Sequence, residues 1–363
     1  MINFKFENIK IGGIAVAVPT KEVNIDSFIP NFGEESIRKF KKMTGVCKLR
    51  RADEHQTASD LGYVAAKKLI LEKGIDLSTI NALIFVSQSP DYKIPATACV
   101  LHKRLALSKD CLAYDINLGC SGYLYGLQTV CSCMQNSNIN RALLIVGDTS
   151  SKMVSQEDRS AVMLFGDAGS ATLLEKEENA PEIKASFRTK GDGYRAIIMQ
   201  GGGYRNPVAS SEYCLWEDGN IRSDYDLYMN GMDVFNFTIS EVPNLIEDFM
   251  VVEGTNPEDY DCLVMHQANL FILKQVAKKI KFPMDKVPIS INEYGNTSVT
   301  SIPLTLSKIC NDRYANCKEI NTLMSGFGIG LSWGVMSARL KTSDVMPIIY
   351  SNECFLEGGI KHD

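Results

Sequence analysis

The chain has no CxxC pair and only four histidines, so the ligand spacings of a structural zinc site are missing. No apolar run approaches the roughly 20 residues needed to span a bilayer, and the opening MINFKFENIK lacks a basic region followed by an apolar core. Cytoplasm is therefore the expected compartment, with no membrane partner. Excess positive charge is missing too: 38 Lys and Arg stand against 43 Asp and Glu, a net charge of -5. That balance gives no general attraction to nucleic acid, and an anionic partner must be met by a local basic patch. The eleven cysteines are odd in number and accompany no secretory signal, which favours reduced thiols over disulfides. Cys99, Cys111, Cys131, Cys133, Cys262 and Cys310 stand in apolar or helical surroundings and read as small buried hydrophobes. With no low-complexity segment or flexible linker, 363 residues suit two domains or one large duplicated one.

What is present is an alternation of short apolar runs with helical stretches. Ala82 to Ser87, Ala113 to Asn117, Ala142 to Val146 and Gly169 to Leu174 read as strands, and Pro95 to Leu107 and Ser121 to Met134 as helices. Such alternation predicts an α/β sheet with helices packed on it. The second half repeats the plan in the same order, with Asp261 to Met265, Val287 to Ile291, Thr322 to Ser325 and Gly330 to Met336. A period of half the chain argues for a duplicated domain and against a solenoid. The expected division is 1–176, 177–340 and a tail, 341–363, outside the repeat. Between the halves, Gly191 to Tyr228 is rich in Gly, Asp, Asn and Tyr and reads as a substrate-facing insertion. Its Gly201-Gly-Gly203 lacks the Lys-Ser/Thr of a phosphate loop.

Three stretches built like strand ends running into turns carry the chemistry: Asn117-Leu-Gly-Cys-Ser-Gly122, Val264-Met-His-Gln-Ala-Asn269 and Tyr294-Gly-Asn-Thr-Ser298. In the repeat, Cys120 and Asn296 occupy equivalent strand-to-helix junctions, and His266 ends the strand matching Val86. A pseudo-twofold pairing of the halves brings these ends to one crevice, where open α/β sheets bind ligands. At a helix N-terminus the free N–H groups and the macrodipole favour a thiolate, so Cys120 is the expected nucleophile, with a lowered pKa. The plainer reading is one more buried cysteine; flanking glycines, which permit close approach of a ligand, favour function. His266 alone reads as a structural histidine, and beside Cys120 and Asn296 as a catalytic one. Asn296 alone reads as a cap or Asx-turn. Its amide can donate to developing negative charge without ionising. A thiol, an imidazole and an amide donor are the parts for holding an acyl group and stabilising an oxyanion or enolate beside it, which points to acyl transfer with carbon–carbon bond formation. His55, His102 and His362 carry no expected chemistry.

Together with Phe165-Gly-Asp-Ala-Gly169, the His266-Gln-Ala-Asn-Leu270 and Gly295-Asn-Thr-Ser298 motifs resemble the β-ketoacyl-acyl carrier protein synthase III family of the thiolase superfamily, over roughly residues 1 to 340. The resemblance implies a five-layered αβαβα thiolase fold in two pseudo-duplicated halves, and a homodimer. It implies that Cys120 takes an acyl group from a coenzyme A thioester, and that a malonyl group on acyl carrier protein then loses carbon dioxide. His266 and Asn296 would stabilise the enolate that attacks the acyl-cysteine. Main-chain N–H groups of Cys120 and Ile329 would form the oxyanion hole. Neither metal nor redox cofactor is implied; coenzyme A and phosphopantetheine thioesters enter as substrates.

By the same resemblance, Arg159, Ile94, Met232 and Phe327 fall at substrate-binding positions, and Lys274, Lys278 and Lys279 form a basic helical run, continued by Lys281, for carrier-protein docking. The chain departs from the best-known bacterial members at several of these positions. Lys39 stands where a tryptophan flanks the adenine, Met43 where a second basic residue sits, Phe271 where an arginine follows the histidine motif, Ile94 where a phenylalanine caps the acyl pocket across the dimer, and Met232 where an asparagine lies near the pocket. These departures point to a divergent member with a specialised acyl chain. Two other readings use the same scaffold: an acyltransferase with a non-malonyl acceptor, and a non-catalytic partner subunit, against which the presence of Cys120 counts. A biosynthetic thiolase needs a second cysteine near Phe327-Gly-Ile-Gly330, and none is there.

Overall fold

The computed structural model describes residues 2–356, so His362 and the end of the expected tail lie outside the described residues. The apolar runs become the central strands of two sheets. In chain order the sheet strands are β1 (Ile2–Phe6), β2 (Ile9–Pro19), β3 (Ala82–Val86), β4 (Leu112–Ile116), β5 (Arg141–Asp148), β6 (Ala168–Lys176), β7 (Ile183–Thr189), β8 (Cys262–Met265), β9 (Glu319–Gly328), β10 (Ser332–Lys341) and β11 (Ile349–Ser351). The six-stranded sheet has the order β11-β2-β6-β5-β3-β4, and the five-stranded sheet β1-β7-β10-β9-β8. In the first, β3 runs parallel to β4 and β5, while β5, β6 and β2 pair antiparallel in turn. The second repeats this with β8 parallel to β9, then β9, β10 and β7 antiparallel.

Alternate residues of each strand feed different cores, because successive side chains leave a strand on opposite faces. Ile84, Val86, Leu144 and Val146 point to the space between the sheets, whereas Leu83, Phe85, Leu143 and Ile145 point outward. Both faces are covered, which is why these strands read as unbroken apolar runs. The outer face of the six-stranded sheet is covered by α1 (Ala58–Lys73) and α2 (Thr97–Arg104). Between the sheets lie α3 (Gly122–Gln135) and α6 (Ser301–Asn311), each packed on strands of both. The outer face of the five-stranded sheet carries α4 (Gly231–Glu253) and α5 (Leu270–Lys279). The result is five layers, αβαβα.

Three features depart from the expected plan. Val287 to Ile291 is not a strand: Pro288 has no N–H to donate, and the N–H groups of Ser290 and Ile291 are taken by Gln267 Oε1 at 3.0 and 3.3 Å. The five-stranded sheet therefore stops at β8, where the six-stranded one continues to β4. The region after Lys341, read as a tail outside the repeat with no contact assigned, adds a sheet edge: β11 pairs with β2, and Met346 N–H bonds the Ile14 carbonyl at 2.8 Å. β1, conversely, crosses from the first part of the chain into the five-stranded sheet. Of the cysteines read as buried, Cys99 is exposed and Cys133 half-buried, while Cys111, Cys131, Cys262 and Cys310 are buried. No helix among the described residues is long and apolar enough to cross a membrane.

Candidate active site

Cys120 stands in the turn between β4 and α3, where Gly122 N–H closes on the Gly119 carbonyl at 2.6 Å. Gly119 has no room for a side chain, because a Cβ there would collide with Gln88 Oε1. A glycine of β9 completes the fit. A Cβ on Gly326 would lie 3.1 Å from Ser121 Cα, so the bare strand lets the start of α3 dock against the opposite sheet. Past the end of that strand, the N–H of Ile329 reaches the Cys120 sulfur, as does the N–H of Cys120 itself. Ile329 thus presents a main-chain N–H to the Cys120 sulfur.

Asn296 is held by its own backbone. Its N–H bonds the Leu164 carbonyl at 2.9 Å and its carbonyl accepts from Gly166 N–H at 3.1 Å, a one-residue bridge to the Phe165-Gly-Asp-Ala-Gly169 motif. Gly166 must be glycine, because a Cβ would run into the Tyr294 carbonyl. In the same motif the buried Asp167 ties down Ala52 N–H at 2.8 Å and Ser151 N–H at 2.9 Å, a structural role. Asn296 Oδ1 accepts from Ser298 N–H at 2.9 Å, which leaves the Nδ2 donor for the pocket.

His266 follows β8 and is anchored by its N–H to the Ser325 carbonyl at 2.8 Å. Its ring meets Phe327 edge to face, with centroids 5.5 Å apart. Nδ1 lies 3.1 Å from Ser301 Oγ, which is also 2.8 Å from the Ser298 carbonyl. Ser301 Oγ donates its proton to that carbonyl, and only when this proton swings from the carbonyl to Nδ1 does the neutral imidazole carry its hydrogen on Nε2, as a donor.

Cys120, His266 and Asn296 line one pocket together with Phe327 and Ile329. Its walls are mainly apolar, with Leu164, Phe165, Ile197, Met229, Val234 and Ile272 among them. Ile197 and Met229 belong to the expected insertion and its border, so that segment does reach the site. Arg159, Ile94 and Met232 do not line the pocket of a single chain; Ile94 is 80% and Met232 67% exposed. Lys274, Lys278 and Lys279 are exposed along α5, whose capping residue Asn269 lines the pocket. Lys279 Nζ also reaches the Ile239 carbonyl at 3.2 Å. Phe271 is stacked on Phe235 at 5.7 Å.

The electrostatics correct one expectation. Burial pushes the Cys120 thiol up to about 12, and the nearby Asp148 carboxylate pushes in the same direction. The Ser298 hydroxyl and the two main-chain N–H groups only partly offset this, so the helix N-terminus does not by itself yield a resting thiolate. Burial also holds His266 down at about 3, so the ring is neutral at physiological pH. Asp148 and Ser298 were not singled out from the sequence. The available signals were a lone carboxylate ending the apolar strand β5, and the serine closing the Gly-Asn-Thr-Ser motif. Among the described residues no cluster of three or more His, Cys, Asp or Glu could hold a metal ion.

Comparison with known proteins agrees with this geometry. The profile of 3-oxoacyl-[acyl-carrier-protein] synthase III matches residues 114–193, and that of its C-terminal part matches residues 251–340. A β-ketoacyl-[acyl-carrier-protein] synthase III of Clostridium perfringens is 32% identical, covering 92% of this chain and 100% of the relative. The crystal structure of a 3-oxoacyl-(acyl-carrier protein) synthase from Burkholderia xenovorans superposes with a TM-score of 0.90 at 38% identity, over 96% of this chain and 99% of the other. That of the synthase III of Pseudomonas aeruginosa gives 0.77 at 25% identity, over 95% and 100%. The five layers are the thiolase fold, and the chain belongs to the 3-oxoacyl-[acyl-carrier-protein] synthase III family of condensing enzymes.

Proposed function

We propose that the chain joins an acyl group, carried first on Cys120, to a malonyl thioester on acyl carrier protein. The observation behind this is the Cys120 sulfur itself. It receives two main-chain N–H groups inside a largely apolar pocket that His266 and Asn296 share. In the first half-reaction the sulfur attacks the carbonyl of an acyl-coenzyme A, and the oxyanion is held by the N–H groups of Cys120 and Ile329. The coenzyme A sulfur leaves and ends protonated.

In the second half-reaction the malonyl thioester loses carbon dioxide, and the electrons of the broken bond become an enolate. Asn296 Nδ2 and Nε2–H of neutral His266 donate to its oxygen. The enolate carbon attacks the acyl-cysteine, Cys120 leaves and takes a proton from solvent, and a 3-oxoacyl thioester is released. Bonds and charges close in these steps without a metal or redox group. A neutral imidazole suits this role, since its hydrogen bond can strengthen with the enolate's charge without a proton being stored beforehand.

The partners follow from the same reading. Lys274 and Lys278 offer a basic face for an acidic carrier protein, on the helix whose start borders the pocket. The exposed Ile94 suits burial against a second copy, in a homodimer. The cytoplasm, where acyl-coenzyme A and carrier protein are made available together, is the compartment consistent with this activity.

The test is intact-protein mass spectrometry after mixing the enzyme with a panel of acyl-coenzyme A donors and, separately, acyl carrier-protein thioesters. One acyl mass on the wild type and none on Cys120→Ala is the expected result, and the donor that reacts names the primer. Failure of every donor to load Cys120 would overturn the reading.

A further inference from the structure

The buried charges around Cys120 raise a question that the reaction leaves open: where the thiol proton goes when the sulfur attacks. The helix N-terminus does not remove it in advance, and a helpful base has to lie within reach. His266 is the obvious acceptor, but the pocket opposes it. Moving the proton from Cys120 to His266 would create a thiolate and an imidazolium, two charges, in a water-poor site where burial already holds the ring neutral.

A second acceptor stands on the other side of the sulfur. Asp148 ends β5 and is 1% exposed. Burial raises the pKa of this carboxyl, which makes it a better proton acceptor; the Gln88 N–H at 2.8 Å and the Ser87 hydroxyl at 3.0 Å, both on Oδ1, and the Val299 N–H offset this only in part. Oδ2 is buried without a donor at full hydrogen-bond geometry among the described residues. Ser298, Asp148 and Cys120 line the same pocket, and the Ser298 hydroxyl is near enough to carboxylate and sulfur to favour the charged form of each. Ser298 is fixed between them in a left-handed backbone conformation, φ +48°, unusual for a residue other than glycine. Its N–H is held by Asn296 Oδ1 and its carbonyl by Ser301 Oγ. The strained backbone is thus held by Asn296 itself and by Ser301, whose Oγ also lies against His266 Nδ1.

We infer that Ser298 relays the Cys120 proton to Oδ2 of Asp148, so that the nucleophile is activated by a carboxylate acting through a hydroxyl. The inference rests on the acyl-accepting role proposed for Cys120. As the S–H bond breaks, Ser298 takes that proton and passes its own to Asp148. The sulfur forms its bond to the acyl carbon, the carbon–sulfur bond of the donor breaks, and the departing coenzyme A thiolate takes back the proton along the same path. Nothing is oxidised or reduced, and Asp148 is regenerated. The site holds one negative charge throughout, moved from carboxylate to sulfur, in place of the charge pair that His266 would require. Ser298 touches the reacting atom; Asp148 acts through it as a positioning residue.

The two possible effects of Asp148 have opposite signs, which makes the test sharp. The measurement is the rate of iodoacetamide alkylation at Cys120, read on the peptide that carries it, in the full chain at neutral pH. If the relay operates, Asp148→Asn and Ser298→Ala each slow alkylation by about 100-fold, and the double variant is no slower than the slower single one. If Asp148 only repels negative charge, Asp148→Asn makes the sulfur react faster, and a faster or unchanged rate overturns the relay. Ser298→Ala keeps the Gln88 and Ser87 bonds of Asp148, so it answers the question even if Asp148→Asn folds poorly. A second readout excludes a merely structural role: loading from acyl-coenzyme A should fall with alkylation, and condensation by preloaded enzyme should fall by clearly less than loading does. Equal loss of both half-reactions would also overturn the relay. Alkylation uses no thioester, so a wild type that no donor loads would remove the proposed function and leave the relay to be judged separately.

Discussion

A methyl group placed on Gly328 would fall 2.6 Å from Cys120 Cβ and 3.0 Å from its sulfur. The strand that leads to the Ile329 N–H is therefore also the wall behind the nucleophile. Position of the sulfur and position of the oxyanion donor are set by one stretch of backbone, Phe327 to Ile329.

Gly328→Ala should accordingly displace the sulfur. A misplacement near 1 Å at a reacting atom costs about 100-fold in rate, and acyl loading is expected to fall by that amount. A loading time course read by intact mass, set beside thermal unfolding of the same sample, checks this. Normal loading would mean that the strand yields and the thiol does not.

Asn296→Ala removes the amide donor and keeps the bridge to Gly166, which is made by main-chain atoms. Loading of Cys120 should persist, and decarboxylative condensation should fall by about 100-fold or more, the usual loss for one such donor. Measuring the two half-reactions separately decides it. Equal loss in both would remove the enolate role.

His266 makes stability depend on pH in a defined window. The folded ring has its pKa near 3 and the unfolded one near 6.5, so below 6.5 the unfolded chain binds a proton that the folded chain refuses. This contribution is fully present above 6.5 and is lost as pH falls towards 3. The slope reaches about 1.4 kcal/mol per pH unit. From roughly pH 7 to 5, wild type should lose about 2 kcal/mol more than His266→Gln. Denaturant titrations at the two pH values give the difference, and parallel losses in the two proteins would contradict a neutral buried ring.

Lys274→Glu combined with Lys278→Glu should raise KM for malonyl carrier protein by about tenfold at low salt, with the gap closing as salt is added. Loading from acyl-coenzyme A should not change. If the double variant handles carrier protein like the wild type, α5 is only a solvated face.

How much of this could be read from residues alone depends on the range of the forces involved. Cys120, His266 and Asn296 were legible because each stands in a short motif at a strand end, where local pattern decides structure. The acidity of Cys120 was not. The helix start that favours the thiolate is next to it in sequence, whereas Asp148, which opposes the thiolate, arrives from β5, two strands away from β4 in the sheet. Val287 to Ile291 looked like a strand because its residues are apolar and β-branched. What prevents pairing is Pro288 and a side-chain amide, Gln267, more than twenty residues away. The pairing of β11 with β2 joins residues more than 300 positions apart, and no local pattern announces it. Residues at Ile94, Met232 and Arg159 carried only the resemblance, and a single chain does not bring them to the pocket.

The exchange of terminal strands has a consequence for how the protein is made. Each sheet borrows one edge from the far end of the polypeptide, β1 in one direction and β11 in the other. A chain emerging from the ribosome offers β2 long before its edge partner exists, and that edge stays open until Ser351 has been synthesised. Completion of the six-stranded sheet is thus among the last events of biogenesis. Two separately expressed fragments divided near residue 176 would each keep a strand that belongs to the other.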